Sequence, residues 1–77
     1  MKNHYRYWDN NKLKKALAEP LQSLDLDDKT INTLENAGII RIGELLRLSQ
    51  DQLFGIRNLG KVKQVKIMKA LEAYGFY

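Results

Sequence analysis

Apolar residues fall along this chain in short groups at helical spacing, punctuated by glycine, one proline and runs of acidic or amide side chains. Leu13, Ala16 and Leu17 share one helical face after Asn10 and Asn11, either of which has the chemistry of an N-cap, and Pro20 ends the segment. This predicts a short helix within an N-terminal extension, Met1–Glu19, ahead of a body, Pro20–Tyr77. In the body, Ile31 and Leu34 mark the inner face of a helix capped by Asp27 or Asp28, with Gly38 as the left-handed residue that closes it. Ile39, Ile40 and Ile42 are predicted to be buried around the next turn, and Leu45, Leu46 and Leu48 to face the core from a helix over about 42–48. Ser49 and Gln52 have the spacing of a capping box, followed by Leu53, Phe54 and Ile56 as core residues and Gly55 as a stop. A last helix is predicted from Lys61 to Tyr74, ended by Gly75. No stretch alternates with period two, and no repeat is visible. The pattern predicts an all-α fold, a compact bundle of four to five short helices.

The segment Leu53–Lys61 places a short helix, an apolar anchor and a glycine directly before a new helix. Gly60 has no Cβ to keep a partner away, and the first N–H groups of a helix lack intrahelical acceptors, so phosphate oxygens can meet them. That is the physical logic of a helix-hairpin-helix turn; equally, Gly60 could simply permit a sharp bend. Charge bears on the choice. Arg57, Lys61, Lys63, Lys66 and Lys69 follow one another without an acidic residue among them. Lysines at a helix start oppose its dipole, which invites a phosphate partner, although a solvated lysine face is the plainer account. Ile67, Ala70, Leu71 and Tyr74 form the core face of this helix, with Lys63 and Lys66 on one flank and Lys61 on the other.

Two features stand outside this scheme. Val62, Val65 and Met68 make an apolar stripe away from Ile67 and Leu71. Packing under Tyr7 or Trp8 is the commoner fate of such residues; docking a partner or a second copy is the alternative. The aromatics Tyr5, Tyr7 and Trp8, beside Arg6, Lys12, Lys14 and Lys15, either fold back as extra core or stack bases.

The chain has 77 residues, a formal net charge of +4 and no cysteine. One domain is the most that this length supports, and helix packing must hold it without disulfides or thiolate metal sites. The basic balance favours polyanions. No apolar run is long enough to span a bilayer and no signal peptide is visible, which predicts a cytoplasmic protein with no membrane partner. Catalysis is not expected. His4 is the sole histidine; Asp25, Asp27 and Asp28 lack the glycine and distal glutamate of a calcium loop; no phosphate-binding loop or nucleophile elbow occurs. Neither a metal nor a cofactor is expected.

Leu24, Leu26, Asn32, Leu34, Ala37-Gly38-Ile39, Ile42-Gly43-Glu44-Leu45, Leu53, Arg57-Asn58-Leu59-Gly60-Lys61, Ile67 and Leu71 together resemble the C-terminal domain of the bacterial RNA polymerase α subunit. The resemblance runs without a gap over Pro20–Leu71. It implies a helix-hairpin-helix-like core and a DNA-binding, transcription-linked module that reaches the minor groove and contacts activators. Carried over by position, the DNA-binding residues are Lys29, Asn32, Asn58, Gly60, Lys61, Lys63 and Lys66. The match is uneven. Lys29 stands where the family has its main minor-groove arginine and lacks arginine's planar fork. Glu35 replaces a basic residue, Val62 and Lys63 replace a basic–serine pair, and Lys66 replaces an acidic residue. The polymerase subunit joins this domain to a larger assembly domain; here the resemblance implies either a free-standing relative, able to compete with the polymerase's own domain, or a piece of a longer protein. DNA is the expected partner, with RNA polymerase or a transcription regulator as further partners; oligomeric state is left open. The alternative is a protein-interaction module using Val62, Val65, Met68, Tyr7 and Trp8.

Overall fold

The computed structural model describes residues 8–76. Five helices follow in order: α1, Asn10–Ala18; α2, Asp28–Asn36; α3, Ile42–Leu46; α4, Gln50–Phe54; and α5, Lys61–Tyr74, with a single 3₁₀ turn at Leu21–Ser23. No strand occurs among the described residues; the one isolated bridge joins Pro20 and Arg41. The all-α expectation therefore holds.

Local chemistry sets most boundaries. Ser49 Oγ accepts from the Gln52 N–H at 3.1 Å, and Gln52 Oε1 accepts from the Ser49 N–H at 2.9 Å, so the capping box opens α4 as its spacing predicts. Gly38 and Gly75 both have positive φ, 87° and 119°, and the Gly75 N–H donates to the Leu71 and Glu72 carbonyls to close α5. At α1 the cap is Asp9, not Asn10 or Asn11: its Oδ1 accepts from the Lys12 N–H at 2.7 Å. A carboxylate there also meets the positive end of the helix dipole. Asp27 occupies the N-cap position of α2, and its carboxylate accepts from the Thr30 hydroxyl at 2.6 Å. Helix α3 stops at Leu46, a fraction of a turn earlier than predicted, and Arg47 is its C-cap.

The core is one cluster drawn from every element: Ala16, Leu21, Leu24, Ile31, Leu34, Ile39, Ile42, Leu45, Leu53, Leu59, Ile67, Ala70, Leu71 and Phe76. Helix α1 is part of this packing. It lies so close to α3 that a Cβ on Gly43 would sit 3.0 Å from the Leu17 carbonyl oxygen and 3.3 Å from Leu17 Cβ. Backbone bonds stitch the same junction, from the Leu21 N–H to the Ile40 carbonyl and from the Ile42 N–H to the Glu19 carbonyl. The Arg41 guanidinium donates to the Ala18 carbonyl at 2.8 Å, a cation on the negative end of α1.

Two residues expected in the core are not there. Ile40 is 44% and Phe54 is 55% exposed. Ile40 lies between the buried Ile39 and Ile42 in a turn, where successive residues cannot all face inward, and Phe54 closes a helix of little more than one turn whose inward position is already taken by Leu53. The stripe on α5 is likewise uncovered: Val62 is 69%, Val65 46% and Met68 37% exposed. Trp8 does not cover it. Its ring meets Tyr74 edge-on at 6.0 Å and Phe76 at 5.4 Å, while Tyr74 and Phe76 stack on each other. Tyr74 belongs to the core face of α5, opposite the stripe. Lys12 Nζ lies 4.8 Å from the centre of the Trp8 ring, a cation–π contact that holds the start of α1 against the aromatic group. His4, Tyr5, Arg6 and Tyr7 fall outside the described residues.

Candidate nucleic-acid interface

The bend between α4 and α5 is built from Ile56 to Gly60. Leu59 is buried and anchors it, and its N–H donates to the Ile56 carbonyl at 3.2 Å. The left-handed residue of the bend is Asn58, with φ 65°, not Gly60. Asparagine is among the few residues other than glycine that adopt this conformation readily. Gly60 is extended, φ −71° and ψ 170°, and serves as the N-cap of α5. Any residue could adopt that geometry, and a Cβ at Gly60 would meet nothing within 4 Å. Neither the bend nor the packing of the described residues therefore requires a glycine at this position.

Residues of α5 fix the bend from behind. Lys63 Nζ donates to the Asn58 carbonyl at 3.1 Å, and Gln64 Nε2 donates to the Leu59 carbonyl at 3.4 Å. The Gly60 carbonyl accepts from the Gln64 N–H. The amino end of α5 is not capped by any side-chain group and has no acidic residue in its first turn. Its first N–H groups thus face outward from an exposed Gly60 and Lys61. Among the described residues Lys61 has no hydrogen bond or ion pair, whereas Lys63 is half-buried over the bend.

Lys66 is placed differently from Lys61. Its Nζ lies 3.8 Å from Asp27 Oδ1, an exposed ion pair between α5 and the start of α2. The Thr30 hydroxyl, with help from Lys66, holds the Asp27 carboxyl below its ordinary range. Lys66 is thus partly neutralised within the fold, which the run of lysines in the sequence does not reveal.

Helix α2 supplies the other half of the surface. Lys29 and Asn32 are exposed, and with Thr33 and Asn36 they form a polar row at i, i+3, i+4 and i+7. The Thr33 hydroxyl donates to the Lys29 carbonyl at 2.9 Å. Thr33, Asn36 and Ala37 line a small cleft of about 140 Å³ with Arg57 and Asn58. The row on α2 therefore runs into the bend, and Lys29, Asn32, Asn58, Gly60 and Lys61 lie on connected elements. Thr33, Asn36 and Arg57 join this surface although the sequence reading does not place them in the site; the i, i+3, i+4, i+7 polar row is the signal that could have found them. Glu35 turns to the flank, where its carboxylate accepts from Gln22 Nε2 at 3.3 Å.

Among the described residues no group of histidines and carboxylates could hold a metal ion, and no helix is long and apolar enough to cross a membrane.

A helical scaffold whose bent connection exposes the amino end of a lysine-bearing helix defines a small binding domain of the helix-hairpin-helix kind. Residues 8–73 match the model of the family described as the C-terminal domain of the bacterial RNA polymerase alpha subunit, and the protein belongs to that family. The match takes in α1, ahead of the segment on which the sequence resemblance rests. The protein is similar to the DNA-directed RNA polymerase subunit alpha of Campylobacter jejuni, 38% identical over 60 residues, which is 78% of this sequence and 18% of that subunit. It is 36% identical over 67 residues to that of Clostridium botulinum, covering 87% of this sequence and 21% of that subunit. With that of Hydrogenobaculum it is 32% identical over 66 residues, covering 86% and 21%. The matched region thus spans about a fifth of the length of these relatives.

Proposed function

We propose that this domain is a non-catalytic, transcription-associated module that binds duplex DNA, through the minor groove and the backbone, with the bend and the start of α5. The observation that carries this reading is Gly60: an exposed glycine that neither the bend's dihedral angles nor internal packing requires, set directly before the uncapped amino end of a 14-residue helix. A phosphate oxygen at that position would accept from the first N–H groups of α5 while Lys61 supplies charge from beside it. Lys63 holds the bend and adds charge next to Asn58. Lys29 and Asn32 would follow the same duplex from α2. Lys66 contributes less than Lys61, because Asp27 already shares its charge. The relatives' name supports a place in the cytoplasm alongside a DNA-directed RNA polymerase, with the polymerase or a transcription regulator as protein partner.

Titrating a short AT-rich duplex into the labelled protein and following two-dimensional NMR spectra tests this. Shifts should concentrate at Lys29, Asn32 and Asn58–Lys63. Affinity should fall linearly on a log–log scale with added salt, by about 0.9 per phosphate engaged, and the double variant Lys61→Glu, Lys63→Glu should not bind. Binding that ignores salt, or shifts confined to the outer face of α5, would overturn the reading.

A further inference from the structure

The outer face of α5 carries a second pattern, which shares Lys61 with the proposed DNA surface and otherwise lies outside it. At about 100° per residue, Lys61, Val65, Met68 and Glu72 fall within a window of about 60°, on the side opposite the buried Ile67, Ala70 and Leu71. Their spacing is four, three and four residues, the alternation of a coiled-coil seam. All four are exposed, and Val62, the most exposed large apolar residue among those described, borders them. The seam is apolar at its centre and oppositely charged at its two ends.

We propose that this face is a self-association surface on which two copies of the protein pair with their α5 helices antiparallel. Charge selects both the occupant and the direction. A two-fold axis between Val65 and Met68 places Val65 against the partner's Met68, and Lys61 against the partner's Glu72, each contact occurring twice. A parallel pair would set lysine against lysine and glutamate against glutamate. On the flank, Lys69 lies toward the partner's Val62, so its methylene stem covers apolar surface while its ammonium stays in water. Lys66 stands off this seam, drawn toward Asp27. Methionine at the centre adapts to the facing valine without a preformed pocket. Three apolar residues per copy make a surface well below that of a stable dimer, so the dissociation constant is on the order of 0.1 mM.

Sedimentation of the 77-residue protein without DNA, from about 10 µM to about 1 mM at low salt, tests the proposal apart from any DNA binding. The mass should rise from that of the 9.0 kDa monomer toward twice that value. The double variant Val65→Asp, Met68→Asp should stay monomeric throughout. Lys61→Glu should weaken association about tenfold, and Lys61→Glu combined with Glu72→Lys should restore it. Concentration-dependent NMR shifts in the unsubstituted protein should be confined to Lys61, Val62, Val65, Met68, Lys69 and Glu72, a readout that needs no variant to fold. A monomer at the highest concentration, association that survives the double aspartate variant, or a charge swap that restores nothing overturns the proposal.

Discussion

Replacing Gly60 by alanine separates the needs of the fold from those of a bound phosphate. The added methyl meets nothing within 4 Å and the backbone is already extended. Alanine is a poorer N-cap than glycine by about 0.5–1 kcal/mol, but it narrows the unfolded ensemble by about 0.4–1 kcal/mol. The two nearly cancel, so the melting temperature should move by no more than a few degrees. On the DNA side the methyl stands where a phosphate oxygen must approach the first N–H groups of α5. One charge-assisted hydrogen bond lost is worth about 1.5–3 kcal/mol, which weakens binding at least about tenfold. Gly43→Ala is the mirror image. Its methyl would press on the Leu17 carbonyl oxygen at 3.0 Å and Leu17 Cβ at 3.3 Å. The helix propensity gained, up to about 1 kcal/mol, is outweighed by overpacking of about 1–3 kcal/mol. The net loss of about 1 kcal/mol lowers the melting temperature by roughly 4–8 °C, with DNA affinity of the folded protein unchanged. Anisotropy of a labelled AT-rich duplex gives the affinities, and fluorescence of Trp8, the one tryptophan, follows unfolding. If Gly60→Ala binds as tightly as the unsubstituted protein, close backbone approach at the bend is not how this surface meets DNA.

Asp27→Asn keeps an acceptor for the Thr30 hydroxyl and removes the charge that holds Lys66, so DNA affinity should rise by about two- to threefold, read by the same anisotropy titration. The Asp27 carboxyl is held below its ordinary value, so it contributes stability that is complete above the unfolded value of about 3.9 and is lost as pH falls through the lower folded value. Circular dichroism against pH should show the unsubstituted protein and Asp27→Asn differing near neutrality and converging as the pH falls through the lowered value of the Asp27 carboxyl. Trp8→Ala removes the edge contacts to Tyr74 and Phe76 and the ring under Lys12. It should cost about 2–3 kcal/mol, seen as an earlier melt by circular dichroism; an unchanged melt would mean that the aromatic group is not part of the core.

What can be read along the sequence, and what cannot, divides by the range of the interactions. The capping box at Ser49 and Gln52, the left-handed Gly38, the helix stop at Gly75, and the core face of Ile67, Ala70 and Leu71 depend on neighbours within a turn or two, and all are found as the pattern predicts. The choice of Asp9 over Asn10 as a cap shifts a boundary by one residue, because aspartate and asparagine offer the same acceptor. The pattern misplaces Phe54 and Ile40 because apolar character permits burial without demanding it. The larger gaps are non-local. Gly43 is a glycine inside a helix until α1 is laid across it, and only then does its missing Cβ become a requirement of packing. Lys66 is one lysine in a row until α2 brings Asp27 to within 3.8 Å of it. At the bend the left-handed backbone is carried by Asn58, a role the pattern does not assign, and not by Gly60. That strengthens the functional account of Gly60. A glycine relieved of its conformational duty, and with open space where a methyl would be, is better explained by what approaches it from outside than by the turn it sits in.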